Sequence, residues 1–471
     1  MDCELQAAVL AGHGATPPEI EELLRYNESR FSVAGGAEAR IVLPAVPSGH
    51  GGAAGPPVPA GLAIPAGPAV PEGPAVAGGP AVSAVPAGPA RETGTAVPAG
   101  RVVQISLPLQ DEPFVQAWEG YAAEARQAGA GAVLRRVLPQ LRFPIRAGIS
   151  GSPDYRAATR RGEPPDGLAA ASGLPLERPE LLAIVLHASP AGRIPLLIAR
   201  HRQDFVLLVQ ALTGRNEPVP VTASQGAAMV AGYVNWQRVA ELRRVWEAEE
   251  PAARGGAAAG GWAAELARLA ERRELYQDRF ILLGDGPYSG VPAAAMGLDE
   301  EEWLRQSLII RREHECAHYL TRRLFGSMRN NALDELIADF AGITAAAGGF
   351  RADWFLRFIG LESFPRYRAG ARLDLYRGKP PLSAGAFAVL RALLHAAARG
   401  LERWDAGLRR APGPPRPFAV AIRLAAIAAL RLEDLASAEA GALLDAAHTR
   451  ASAMFGNGSL PAAVRPRDRS A

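Results

Sequence analysis

Lysine is nearly absent from this chain: Lys379 is the single one among 51 basic residues, all the others being arginine. The formal net charge is only +3, so nothing in it calls for nucleic acid or another polyanion, and no such partner is expected. Cysteine is as scarce. Cys3 and Cys316 are too few for a disulfide framework, and the acidic N-terminus carries no signal peptide, so a reducing cytoplasm is the expected location. Long apolar runs are missing as well. Residues 181–188 and 418–430 come nearest, the second broken by Arg423, and both fall short of the ~18–20 residues a membrane span needs. No membrane partner is expected. Between 44 and 100 aromatic residues vanish and charge nearly does, leaving a repeated Pro-Ala-Gly-Pro-Ala-Val theme. Such a segment cannot bury enough surface to offset its ordering entropy, and it reads as a disordered linker.

What remains is ordinary globular chemistry. A chain of 471 residues, 48% hydrophobic and 21% charged, is long enough for two or three domains. Residues 1–43 read as an N-terminal helical segment, in which Thr16-Pro17-Pro18 opens a helix for packing onto the main body or for a partner contact. Residues 101–277 read as an α/β lobe. Its expected helices are 112–128, 133–138, 205–212 (capped by Asp204), 233–249 and 262–277; its expected strands are 181–187, 194–199 and 218–223. The stretch with Arg142, Arg146, Tyr155, Arg160 and Arg161 reads as solvated basic surface. Residues 278–455 read as a helical domain ending in a bundle of 352–359, 383–401, 418–431 and 432–451, with a flexible tail at 456–471. The expected fold class is therefore α+β and mostly α-helical. A small β-containing N-terminal lobe precedes a helical C-terminal lobe.

The strongest chemical signal is His314-Glu315-Cys316-Ala317-His318, an HExxH motif. Residues 303–325 read as one helix, with Asp299 as its cap, Glu302 as a capping-box partner and Gly326 as its stop. Positions four apart share a helix face, so His314 and His318 can aim two imidazoles at one zinc ion. Glu315 sits on the flank of that face, where a general base for an activated water is wanted. Cys316 points about 160–200° away from both histidines and reads as a core thiol. A third ligand is needed, with a fourth position left open. Residues 331–347 read as a second helix, and Glu335, 17 positions after His318, can supply that ligand after an antiparallel return. Asp339 lies one turn further on the same face and can accept the free N–H of a ligand histidine. Asp334 reads as facing away from the ligands and serving the helix N-terminus.

HExxH followed by ExxxD on a second helix resembles the gluzincin, thermolysin-like zinc metallopeptidases over residues 278–347. The resemblance implies His314, His318 and Glu335 as zinc ligands, Glu315 as general base and Asp339 as the carboxylate behind a ligand. It also implies a peptide-binding edge strand just before the HExxH helix, a place held here by residues 279–283, though the following Gly284–Val291 segment suggests a loop or kinked edge. The expected activity is a zinc-dependent hydrolase acting on a peptide or small amide. The alternatives are a metal-stabilised binding or regulatory protein without turnover, and a zinc enzyme with a non-peptide substrate in a biosynthetic pathway. A donor for the tetrahedral oxyanion is also required. Tyr367 and Arg372, in a polar Gly-hinged segment, are the preferred candidates, with Arg368, Tyr376, His395 and Tyr288 as the others.

Overall fold

The computed structural model describes residues 3–28, 104–248, 261–326, 331–378, 380–411 and 418–455. The linker expected at 44–100 and the tail at 456–471 lie outside these residues. The fold is α+β and mostly helical, with one four-stranded sheet among the described residues.

Two helices, α1 (Cys3–Gly12) and α2 (Pro17–Glu28), open the chain, and Thr16 caps α2 through Glu19, whose carboxylate accepts from the Thr16 N–H and hydroxyl at 2.7 Å each. Then follow α3 (Phe114–Ala128), α4 (Ala130–Val137) and α5 (Pro153–Arg161). The hairpin β1 (Leu182–Ser189) and β2 (Gly192–Ala199) leads to α6 (Arg202–Leu212), β3 (Ala227–Val234), α7 (Trp236–Ala248), α8 (Gly261–Leu269) and β4 (Gln277–Gly284). After the short α9 (Ala293–Met296) come α10 (Glu300–Phe325) and α11 (Asn331–Ala347). The chain closes with α12 (Ala352–Ile359), α13 (Ala384–Arg410), α14 (Ala419–Ala428), α15 (Leu432–Ala436) and α16 (Ala440–Met454).

The strands lie in the order β1-β2-β4-β3, with β2 and β4 parallel and both outer pairs antiparallel. Successive side chains of a strand point to opposite faces. On one face Leu197, Ala199, Phe280 and Leu282 pack under α3, α4 and α6, against Trp118, Leu134 and Phe205. On the other, Ile194, Leu196, Ile281 and Leu283 join the large core that includes Tyr319 and Leu320 of α10 and Leu336 and Phe340 of α11. The sheet is thus a partition between two helical layers. The domain boundary expected at 277/278 falls at the first residue of β4, the strand bonded to both β2 and β3.

Several expected elements differ. Residues 218–223 form no strand: Pro218 and Pro220 have no N–H to give a ladder, and the third strand is 227–234 instead. Tyr233 consequently belongs to β3, and α7 begins at Trp236. Asp204 does not cap α6. The helix starts at Arg202, and the fully buried Asp204 carboxylate accepts from the backbone N–H groups of Glu177 at 2.8 Å and Arg178 at 2.9 Å. The helix expected over 262–277 stops at Leu269, and Gln277 already lies in β4. The last expected helix, 432–451, is two, α15 and α16. Residues 279–283 are no edge: β4 is flanked on both sides, and its apolar run Phe280–Leu283 is what a strand buried on both faces requires. Finally, α13 is 27 residues long and apolar enough by length and composition to cross a membrane. Its Leu390, Leu393, Leu394, Ala397 and Leu401 are buried in the large core, which accounts for that composition.

The N-terminal helices join this same body. Leu10 and Leu23 are fully buried in the large core. The Tyr26 hydroxyl donates to the Tyr376 carbonyl at 2.6 Å, and Glu22 accepts from both the N–H and the hydroxyl of Ser383 at 2.7 Å.

Candidate metal centre

The site is built on the antiparallel pair α10 and α11. Asp299 accepts the Glu302 N–H at 2.8 Å and starts α10; Gly326, at φ 70°, ends it. The reciprocal half of the expected capping box is absent, because the Glu302 carboxylate is taken by Arg305 and Gln306. Gly342 sets the spacing of the two helices. A Cβ there would stand 2.6 Å from the Ile310 carbonyl oxygen, so the backbones approach more closely than any side chain at this position permits.

At that spacing the expected ligands converge. His314 Nε2 and His318 Nε2 are 3.1 Å apart, and the Glu335 carboxylate lies 3.5 Å from the first and 3.7 Å from the second. Tetrahedral zinc with bonds of ~2.0–2.1 Å holds its ligands about 3.3–3.4 Å apart, so this donor set fits a zinc ion with only small adjustments. Both histidines are buried, and Glu335 is half-buried. Glu315 is half-buried on the adjoining face, and its charge is one of those acting on His318.

Each imidazole has a carboxylate behind it. Asp339 Oδ1 faces His314 Nδ1 at 2.8 Å, which leaves Nε2 free as a ligand. Asp339 is fully buried and also accepts from the Tyr288 hydroxyl at 2.6 Å and from Arg372. Burial works against its charge, but Arg372 and His314 outweigh it and hold the carboxyl at about 2. Asp334 does not face away as expected. Its Oδ1 lies 3.2 Å from His318 Nδ1, close enough to pair though off-line for an aligned hydrogen bond. Burial pushes the His318 imidazole down, and Asp334, Glu335 and Glu315 together raise it to about 9. The correction has a simple geometric cause. Neighbouring positions on a helix point about 100° apart, so Glu335 and Asp334 can flank the same imidazole.

The expected oxyanion donors separate. Tyr367 is not at the centre: its ring packs edge-on against Phe387 of α13 at 5.6 Å, beneath Arg391. The turn in which the Arg368 N–H bonds the Gly360 carbonyl at 3.0 Å brings the chain back, so only its far limb returns to α11. Arg368 pairs with Glu362, and His395 stacks on Phe364 at 4.3 Å. Arg372 does reach the centre, but its guanidinium is spent on Asp339, the Tyr288 hydroxyl at 3.0 Å and Ser289 Oγ at 3.1 Å. Its two terminal nitrogens hold the support of His314, while the buried Nε has no partner among the described residues. Two hydroxyls touch ligand residues: that of Tyr288 lies behind His314, 3.0 Å from Nδ1, and donates to Asp339, while that of Tyr376 donates to Glu335 Oε2 at 2.9 Å. Burial pushes the Tyr376 hydroxyl well above its usual pKa, so it keeps its proton.

Tyr288 lies on the loop after β4, which α10 pins: Ser307 Oγ accepts the Tyr288 N–H at 2.9 Å, and Arg311 donates to the Pro287 carbonyl at 2.8 Å and the Gly284 carbonyl at 3.3 Å. Cys316 is buried in the large core, on the far side of α10 from both histidines. A family model described as a family of unknown function (DUF7005) matches residues 99–439, and no curated protein and no solved structure matches the chain.

Proposed function

The chain belongs to DUF7005, a family of unknown function, and we propose from the site itself that it is a zinc-dependent hydrolase of peptide or small amide bonds. The observation that carries this reading is the convergence of His314 Nε2, His318 Nε2 and Glu335 on one point, at separations of 3.1, 3.5 and 3.7 Å. Three protein ligands of N and O type, with Glu315 beside them, are the pattern of a catalytic rather than a closed structural site.

His314, His318 and Glu335 would hold the ion. When bound, zinc supplies Lewis-acid polarisation and a water of lowered pKa. Glu315 takes up the proton of the attacking water and hands it to the leaving amine. Tyr376, protonated and next to Glu335, turns its single O–H from Glu335 to the developing oxyanion. Asp339 and Asp334 fix the two imidazoles, and Arg372 and Tyr288 fix Asp339. The peptide reading gains support from β3 as an outer strand. Arg311 lies across Gly226 just before β3, and Arg322 reaches Met229 Sδ at 3.2 Å. Residues 311, 315, 318 and 322 follow one face of α10, so this outer strand runs beside the Glu315 flank. An extended chain can add to such an edge by backbone hydrogen bonds. The strand at this place is β3, because β4 is interior.

The test is metal content together with a peptide-library cleavage screen, run with and without chelator. The expected result is zinc in the wild type, one equivalent less in His318→Ala, and full zinc with turnover lower by ~10²–10⁴-fold in Glu315→Gln. A metal-free wild type, or equal metal in His318→Ala, refutes the centre. Zinc binding with no cleavage by any form leaves the metal-stabilised binding protein as the better reading.

A further inference from the structure

A second set of metal-type donors lies behind the first, on the opposite face of the same helix. We propose that His187, Glu313 and Cys316 form a separate site for a thiophilic divalent ion of the zinc class. One donor atom from each of the three lies within 4.8 Å of the others. His187 comes from β1, the other outer strand, and its Nε2 stands 3.2 Å from Glu313 Oε1. Arg312 Nε donates to that same oxygen at 2.8 Å, which leaves Glu313 Oε2 for an ion. The three residues bring nitrogen, oxygen and sulfur. Zinc accepts all of these, whereas calcium and magnesium refuse sulfur.

The surroundings suit an ion that enters from solvent. The side chains of His187 and Glu313 are 20% and 22% exposed, while Cys316 is buried at 3%. Glu313, Cys316 and Leu320 line one wall of a cavity of about 360 Å³, with Ala341 of α11 and Phe418 on the others. A tetrahedral zinc with one Zn–S bond of ~2.3 Å needs donor separations of about 3.3–3.6 Å. The 4.8 Å bound is wider, so the Cys316 side chain has to turn, and the cavity beside it leaves room for that and for an outside fourth ligand. Residues 313 and 316 are one turn apart on this face, while 314 and 318 lie on the other. The two sites therefore share no ligand and only the rigid body of α10.

Cobalt separates the sites, because only the second contains sulfur. The full-length protein loaded with Co²⁺ should show a thiolate-to-cobalt charge-transfer band in the near ultraviolet. That band should be lost in Cys316→Ser and in His187→Ala, with one equivalent less of bound metal in each, and kept in Cys3→Ser and in His318→Ala. Thermal melting confirms that each variant is folded. Should Cys316→Ser fail to fold, the half-buried His187→Ala carries the same comparison. Absence of the band from the wild type, its survival in either Cys316→Ser or His187→Ala, or its loss with Cys3→Ser overturns the proposal. Failure of the first site reads differently: the band stays, and His318→Ala changes neither stoichiometry nor the visible cobalt bands.

Discussion

Replacing Asp339 with asparagine tests the support of the centre, and the structure gives it two distinct costs. The carboxylate is fully buried and receives Tyr288, Arg372 and the Nδ1 of His314. Asparagine keeps the size but removes the charge, and the Arg372 side chain, only 16% exposed, then loses its counter-ion. Breaking one half of a buried ion pair costs about 3–5 kcal/mol, and the partial exposure of Arg372 sets this case near 3 kcal/mol. Independently, an imidazole that loses its orienting carboxylate weakens metal affinity by about 10–100-fold, or about 1.4–2.7 kcal/mol of binding. Denaturant unfolding reads the first cost and chelator competition the second. The double variant Asp339→Asn/Arg372→Met separates them. Removing the orphaned cation should restore most of the stability, while zinc affinity should stay low because His314 still lacks a charged carboxylate behind it. A single variant as stable and as tight as the wild type refutes the network. Recovery of zinc affinity in the double variant would show that charge balance, and not imidazole orientation, is the work of Asp339.

Asp334→Asn should weaken zinc by up to about 10-fold through His318, less than Asp339→Asn because its contact is longer and off-line; unchanged affinity in the same competition assay would reduce that contact to surface charge. Tyr376→Phe should keep full zinc content and lose about 10²–10³-fold in turnover, whereas Tyr367→Phe should leave turnover alone; the reverse order in steady-state assays would return the donor role to Tyr367. Tyr26→Phe removes the bond to the Tyr376 carbonyl, so stability should drop by about 0.5–1.5 kcal/mol. Turnover should fall with zinc unchanged, and a turnover equal to wild type would show that Tyr376 is placed without α2.

The two site helices, their antiparallel order and the four residues His314, His318, Glu335 and Asp339 were all legible in the sequence. The reason is that helical periodicity is local: positions three and four apart share a face whatever the rest of the chain does. The end signals were local too, and Asp299 and Gly326 stand where expected. The cysteine between the histidines pointed away for the same reason. Tertiary structure alone decided the remainder. The apolar run Phe280–Leu283 is a local sign of burial on both faces, but that β4 lies between β2 and β3 depends on pairings with segments about 85 and about 50 residues away. Tyr367 and Arg372 stand five residues apart, yet the turn between them sends one to α13 and the other to Asp339. Asp334 looked idle because its role is set by the distance between α10 and α11, which Gly342 fixes by letting two backbones nearly touch. The donors His187, Glu313 and Cys316 lie on two elements more than 100 positions apart, and only the tertiary fold brings His187 of β1 to the back of α10.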